Sequence, residues 1–387
     1  MTPTELPSTP RRRVQLSKWI ALTALLLGLP LAGVLAAGHE LAPYLDFPPR
    51  AIGEKPTDAL TWSSAAFAGY AVFVAVVALP LLLRLAFAPR GGTEPRRLAP
   101  FPAWGWAGIA LGAAAWTLAW NRFSWFAPLQ RQTFVPLWFA YLVVSNAVAA
   151  RMTGRAPVFA EPRRYLALFA ASAAFWWSFE YLNRFARNWR YVGIDAFGPL
   201  EYGVCATVAF ATVLPAFHAT REALAAWPRL DRVFASWIPL RFVRPRLAAI
   251  AALVLAAAGL AGLGVRPDLL FPLVWVSPVL VLVGIQTLRG RPHVLSGIAR
   301  GDWREPVAAA GAALLCGFFW EMWNWQSLAR WEYDIPYVGA FHVFEMPVLG
   351  YAGYLPFGIM CAVVADAVMK ARPAAGPAAA PFPALPA

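Results

Sequence analysis

The sequence predicts an all-α fold, a polytopic transmembrane helix bundle of about ten spans with internally repeated hairpins that open outward. Three observations predict it. Of the 387 residues, 60% are hydrophobic and only 14% charged, whereas a water-soluble domain carries about 25% charged residues. Ten apolar runs, each near the roughly 20 residues a bilayer crossing needs, cover 19–37, 62–83, 101–120, 133–150, 165–182, 199–218, 247–264, 269–288, 306–325 and 347–369. Finally, 24 of the 33 Lys and Arg residues fall in alternate connections between these runs, and nine in the intervening ones. A lone span must satisfy its own backbone hydrogen bonds in lipid, and nothing here alternates with the period of a barrel strand, so the runs are read as helices.

The elements follow in order. Residues 1–16 hold Arg11, Arg12 and Arg13 among prolines and read as a disordered basic arm. The stretch Arg12-Arg13-Val14-Gln15-Leu16 loosely resembles a twin-arginine signal, but nine more apolar runs downstream favour a retained first helix. The transmembrane domain is expected over 17–369. Within it the connection 219–246 interleaves Trp227, Leu230, Val233, Phe234, Trp237 and Ile238 with arginines, the pattern of an amphipathic helix lying on anionic lipid. It separates six helices from four. Helices seven and eight are joined only through Arg266 to Asp268, which calls for a tight antiparallel hairpin. Residues 370–387 form an Ala and Pro tract, read as a disordered tail.

The basic bias sets orientation. Cytoplasmic connections collect Lys and Arg, which puts both termini in the cytoplasm of a bacterial inner membrane. The net charge of +13 is spread over the loops and not gathered on one face, which argues against a nucleic-acid partner; the expected partners are the bilayer and a lipid-like small molecule. Cys205, Cys316 and Cys361 all lie in apolar runs and are too few for a disulfide framework.

An internal repeat marks the chemistry. Residues 180–191 read Glu-Tyr-Leu-Asn-Arg-Phe-Ala-Arg-Asn-Trp-Arg-Tyr, and 321–333 read Glu-Met-Trp-Asn-Trp-Gln-Ser-Leu-Ala-Arg-Trp-Glu-Tyr. Both keep Glu-x-x-Asn, then Ala-Arg, Trp and Tyr. A fainter copy, Trp120-Asn121-Arg122-Phe123, has Leu118 in place of the glutamate. Repeated hairpins often mark the binding region of transport folds.

Glu180 and Glu321 each stand fifteen residues into their runs, about 22 Å into a roughly 30 Å apolar layer. An acidic residue at such depth costs up to about 3 kcal/mol and usually has a function. Glu180, Asn183, Arg184 and Arg187 share one helical stripe, so a Glu180–Arg184 pair one turn apart is the simplest structural role. Glu321 has Trp325 at that position and is the better functional candidate. Glu201 and Glu345 stand where the chain re-enters the membrane. The candidate acid/base set is therefore Glu321, Glu345, Glu180 and Glu201, with Asn183, Arg184, Asn324, Trp331, Tyr333 and His342 as candidate substrate contacts. His342 with Glu345 and Glu321 or Asp334 is a poor metal set, a single loop histidine among scattered carboxylates. No metal or cofactor is expected, and no Walker loop, Gly-x-Ser-x-Gly elbow or His-Glu-x-x-His motif occurs.

The last hairpin, with Trp320-Glu321-Met322-Trp323-Asn324, Pro336-Tyr337-Val338-Gly339 and Phe344-Glu345-Met346-Pro347, resembles that of uncharacterised bacterial polytopic membrane proteins over about fifty residues. Pro199-Leu200-Glu201 is similar to the proline and glutamate signature of membrane lycopene cyclases, whose glutamates protonate a polyene. Those cyclases continue with a second acid where this chain has Tyr202, so the activity is not carried over. Three readings stay open: acid/base processing of an isoprenoid- or lipid-like substrate, proton-coupled secondary transport, and a non-catalytic scaffold.

Overall fold

The computed structural model describes residues 26–47, 62–88 and 98–370; the basic arm 1–16 and the tail beyond Lys370 lie outside them. Helices dominate. In chain order they are α1 (Leu26–Ala36), α2 (Ala42–Leu45), α3 (Ser64–Phe87), α4 (Ala103–Trp120), α5 (Phe134–Thr153), α6 (Pro157–Ala160) and α7 (Pro162–Ala186). After strand β1 (Trp189–Val192) come α8 (Pro199–Ala211), α9 (Val213–Ala225), α10 (Pro228–Phe234), α11 (Pro245–Leu263), α12 (Pro267–Leu270), α13 (Leu273–Leu288) and α14 (Arg304–Trp325). Strands β2 (Arg330–Tyr333), β3 (His342–Val343) and β4 (Met346–Pro347) precede α15 (Tyr354–Met369).

Each apolar run is helical over most of its described length. Six helices are long and apolar enough to cross a membrane: α3, α5, the near-continuous α8–α9 over Pro199–Ala225, α11, α14, and α15 with the short turn before it. The shorter α1 and α13 are also apolar, and α4 and α7, at 18 and 25 residues, carry more Trp and polar side chains. Proline opens α7, α8, α10 and α11, where its missing N–H costs nothing and its fixed φ suits the first turn.

The centre is built by α5, α7, α9, α14 and α15. Small residues make the close crossings: a Cβ on Gly358 of α15 would stand 2.3 Å from the Ala309 carbonyl oxygen of α14, so only glycine allows these backbones to meet. α11 and α13 pack antiparallel, Gly259 against Leu273 and Gly284 against Leu253. α3, with a mean hydropathy of 2.4 in its most apolar window, buries none of its residues.

One serine bends the long α8–α9 element. The Leu214 N–H would bond the Phe210 carbonyl in an unbroken helix; instead the buried Ser172 hydroxyl of α7 stands between them, donating to Phe210 O at 2.6 Å and accepting from Leu214 N at 2.9 Å. A side chain inserted into the ladder is a recognised cause of a helix break.

The connection 219–246 divides. α9 runs on to Ala225, and α10 buries Leu230, Val233 and Phe234 against Ala308 and the end of α3. The apolar face of α10 therefore meets protein. Every residue from Ile238 to Leu247 is exposed.

Candidate functional site

The site grows from the ends of α7 and α14, which close differently, α14 with Gln326 at φ −108°, but are each followed by an asparagine-tied extended piece. α7 stops at Ala186 with Arg187 in the left-handed region at φ 50° and its N–H on the Asn183 carbonyl. Asn183 then turns its amide on the returning chain, accepting from the Asn188 N–H at 2.8 Å and donating to the Trp189 carbonyl at 2.8 Å. Asn324 does the same for the second hairpin, accepting from the Trp331 N–H at 2.8 Å and donating to the Trp331 carbonyl at 2.7 Å. Each asparagine thus holds its own chain extended, and the two extended pieces meet as an antiparallel pair.

The register of that pair is Trp189 with Tyr333, Arg190 with Glu332, Tyr191 with Trp331 and Val192 with Arg330. The Trp-x-Tyr of one strand therefore lies against the Tyr-x-Trp of the other. Successive side chains of a strand alternate sides, so the Trp and Tyr residues point at the glutamates. The alternate positions hold ion pairs, Arg190 to Glu332 at 2.8 Å and Arg330 to Glu332 at 2.6 Å.

Glu180 is buried, and its Oε1 accepts from the Tyr191 hydroxyl at 2.7 Å, the Trp176 indole at 3.1 Å and the Trp189 indole at 3.2 Å. Glu321 is 0% exposed, and its Oε1 accepts from the Tyr354 hydroxyl at 2.7 Å and the Tyr333 hydroxyl at 2.8 Å. The Trp331 indole donates to the Tyr333 hydroxyl at 3.0 Å. The Trp189 indole reaches Glu180 itself whereas its counterpart Trp331 stops at Tyr333, and the two shells also differ one turn before each glutamate. One turn before Glu180 stands Trp176, which supplies a donor; one turn before Glu321 stands Gly317, and the space is filled by the ring of Tyr354 from α15. A Cβ on Gly317 would lie 2.5 Å from that ring.

Glu321 differs in a further way. Its Oε2 is buried without a hydrogen-bond partner, as are the indole nitrogens of Trp138 and Trp323 in the aromatic cluster beside it. An unpartnered carboxyl oxygen in an apolar surround is costly.

The remaining candidates spread out. Arg184 does not meet Glu180: its guanidinium donates to the carbonyls of Tyr44 and Asp46, fastening α2 to the end of α7. Glu201 is exposed in the first turn of α8, beside an apolar groove lined by Phe47, Leu200, Val204 and Val208. His342 is exposed on β3, and Glu345 is half-buried in the β3–β4 turn. Trp331 and Tyr333 stand in the Glu321 shell. Asn183 and Asn324 spend their amides on backbone. The third hairpin is closed differently, by Gln130 donating to the Leu118 carbonyl at 2.9 Å, and Arg122 links it to the Gln326 carbonyl at 2.7 Å.

A second polar cluster, centred on one buried arginine, lies at the other end of α14. Arg221 of α9 is 3% exposed and pairs with Glu305 of α14 and Asp366 of α15, each at 2.9 Å. Between Glu305 and Glu321 there are sixteen residues of helix, about 24 Å of rise. Part of that interval holds the buried group of Tyr141 OH to Thr220 Oγ1 at 2.9 Å and Tyr141 OH to Cys316 Sγ at 3.5 Å.

The sequence includes Trp189 and Tyr191 in the repeat and offers Trp176 and Tyr354 only as aromatics of a belt or a pocket, and it gives Gly317 and Arg221 no role. Gly317, four residues before Glu321, was the available signal for Tyr354; Arg221 carried none, since its acids come from distant helices. Among the described residues no group of three or more His, Cys, Asp or Glu side chains is placed to hold a metal. No family model, curated protein or solved structure matches the chain.

Proposed function

We infer that the chain crosses a bacterial inner membrane ten times with both termini in the cytoplasm, and that its two Glu-x-x-Asn hairpins are copies of one unit facing the periplasmic side. The 24-to-9 split of basic residues between alternate connections supports this threading. The matched hydrogen bonding of Glu180 with Tyr191 and Glu321 with Tyr333 supports the duplication. The chain is akin, on this reading, to the uncharacterised bacterial polytopic proteins that its last hairpin resembles.

The function supported best is acid/base processing of a hydrophobic, lipid- or isoprenoid-like substrate, with Glu321 transferring the proton. The carrying observation is the state of Glu321: no exposure, one oxygen fixed by two tyrosine hydroxyls, the other oxygen unpartnered. Tyr333 and Tyr354 hold the carboxyl in one orientation, and the surrounding indole rings suit an apolar chain or a transient cation. Half-buried Tyr333, Tyr351 and Tyr354 offer the side from which such a substrate approaches. Glu180, whose Oε1 takes three donors, two of them from the strand that follows α7, positions the paired strands.

The test is untargeted lipid and pigment analysis of a deletion strain complemented with the full chain or with Glu321→Gln, at equal amounts in the membrane. The wild-type chain restores the altered species and Glu321→Gln does not. Restoration by Glu321→Gln overturns the reading.

Proton-coupled transport is the second reading, and the cluster of Arg221, Glu305 and Asp366 favours it, since a transport path needs polar groups at both ends of the bundle. It predicts an unchanged lipid profile and a Glu321-dependent proton uptake in vesicles.

A further inference from the structure

We propose that the segment Ile238–Leu247 is a docking surface for anionic phospholipid headgroups at the membrane boundary, with Phe242 and Val243 as the inserted wedge. The segment is held to the body, yet every one of its residues is exposed and nothing covers it among the described residues. Its backbone is pinned by Trp237 N to Gly301 O at 2.8 Å and Leu240 N to Ile298 O at 3.1 Å, and the Trp303 indole donates to the Ile238 carbonyl at 2.8 Å. Beyond these anchors Phe242 is 76% and Val243 96% exposed. Apolar side chains held out from the body in a pinned loop gain free energy only where something apolar receives them.

Charge selects the occupant. Arg241, Arg244 and Arg246 interleave with the apolar side chains, and no acidic residue occurs between Asp231 and Asp268. Position selects it further. Pro245 opens the apolar α11, so the segment stands where a spanning helix enters the bilayer. Ala249 and Leu253 of α11 pack beside Gly284 of α13; the antiparallel pairing therefore brings the exposed Arg289 and Arg291 to the same end. Five arginines around an apolar tip at that level match a layer of phosphate headgroups above acyl chains, whereas an acidic protein or RNA would leave the tip unburied.

The full chain, purified in detergent, is titrated with phosphatidylglycerol or phosphatidylcholine while bound lipid is counted by native mass spectrometry. Phosphatidylglycerol is expected to bind preferentially. Arg241 also donates to the Ala299 carbonyl at 2.6 Å and is left in place; each arginine near an anionic surface is worth about fivefold, so R244Q/R246Q lowers that preference by on the order of thirtyfold. F242S/V243S, which leaves every charge in place, weakens retention of both lipids. Unchanged thermal unfolding of both variants shows that they fold, because all the altered side chains are exposed. Equal retention of the two lipids by the wild-type chain overturns the proposal. So does displacement of phosphatidylglycerol by millimolar inorganic phosphate, which would mark a free-phosphate site, or arginine-dependent binding of polyuridylate without binding of phosphatidylglycerol.

Discussion

Replacing Gly317 by alanine tests whether Tyr354 is held against Glu321 by the absence of a side chain. The new Cβ would lie 2.5 Å from two ring carbons of Tyr354 and 2.6 Å from a third, where ordinary contact begins at 3.4 Å. The ring must therefore retreat by about 0.9 Å. Its hydroxyl is 2.7 Å from Glu321 Oε1, so a retreat along that line lengthens the bond to about 3.6 Å, beyond hydrogen-bond range. Losing a bond to a carboxyl costs about 1.5 to 3 kcal/mol, and residual overpacking about 1 to 3 kcal/mol. Alanine returns about 1 kcal/mol of helix propensity. The net expectation is a loss of about 1.5 to 5 kcal/mol, measured by equilibrium unfolding in detergent. Tyr354→Phe removes the same bond without the clash, so the double variant should be less destabilised than the sum of the two. Stability within about 0.5 kcal/mol of wild type for Gly317→Ala, or strict additivity with Tyr354→Phe, would refute the reasoning.

The Ser172 wedge makes a different prediction: Ser172→Ala leaves the Phe210 carbonyl and Leu214 N–H without the hydroxyl between them, costing about 1 to 3 kcal/mol, or lets the helix close its own bond and straighten. Thermal unfolding together with a distance measured by paired spin labels across the bend should show one or the other, and an unchanged midpoint with an unchanged distance counts against the wedge. The strand pair carries a pH prediction. Arg190 beside Glu332 holds its carboxyl below the ordinary value of 4.5, so the pair contributes fully above that value and is lost as the pH falls through the lowered one. Arg190 is solvent-exposed, which limits the contribution to under about 1 kcal/mol. Arg190→Ala should therefore remove a small part of the acid-induced fall in unfolding midpoint between pH 6 and pH 3.5, and identical profiles would contradict it.

What the sequence determined by itself is that the long apolar runs are helical, and it singled out the two glutamates at the hairpin end. Apolar runs near the thickness of a bilayer are sufficient to predict helix, because the backbone has no other way to satisfy itself in oil. Glu180 and Glu321 stand out for a related reason: an acid inside an apolar run is costly to bury, and its recurrence with Asn at the third position following is visible without any structure. The tertiary structure alone decided who touches whom. The sequence suggested Arg184 as the partner of Glu180 by helical spacing, yet the carbonyls of Tyr44 and Asp46 draw the guanidinium away, and two indoles and a phenol take its place. The strand register, the entry of Tyr354 over Gly317, and the meeting of Arg221 with Glu305 and Asp366 all join residues far apart in the chain. Periodicity reports only what one element presents along its own axis; contacts between elements depend on how they pack, and packing is set by shapes that no single segment contains.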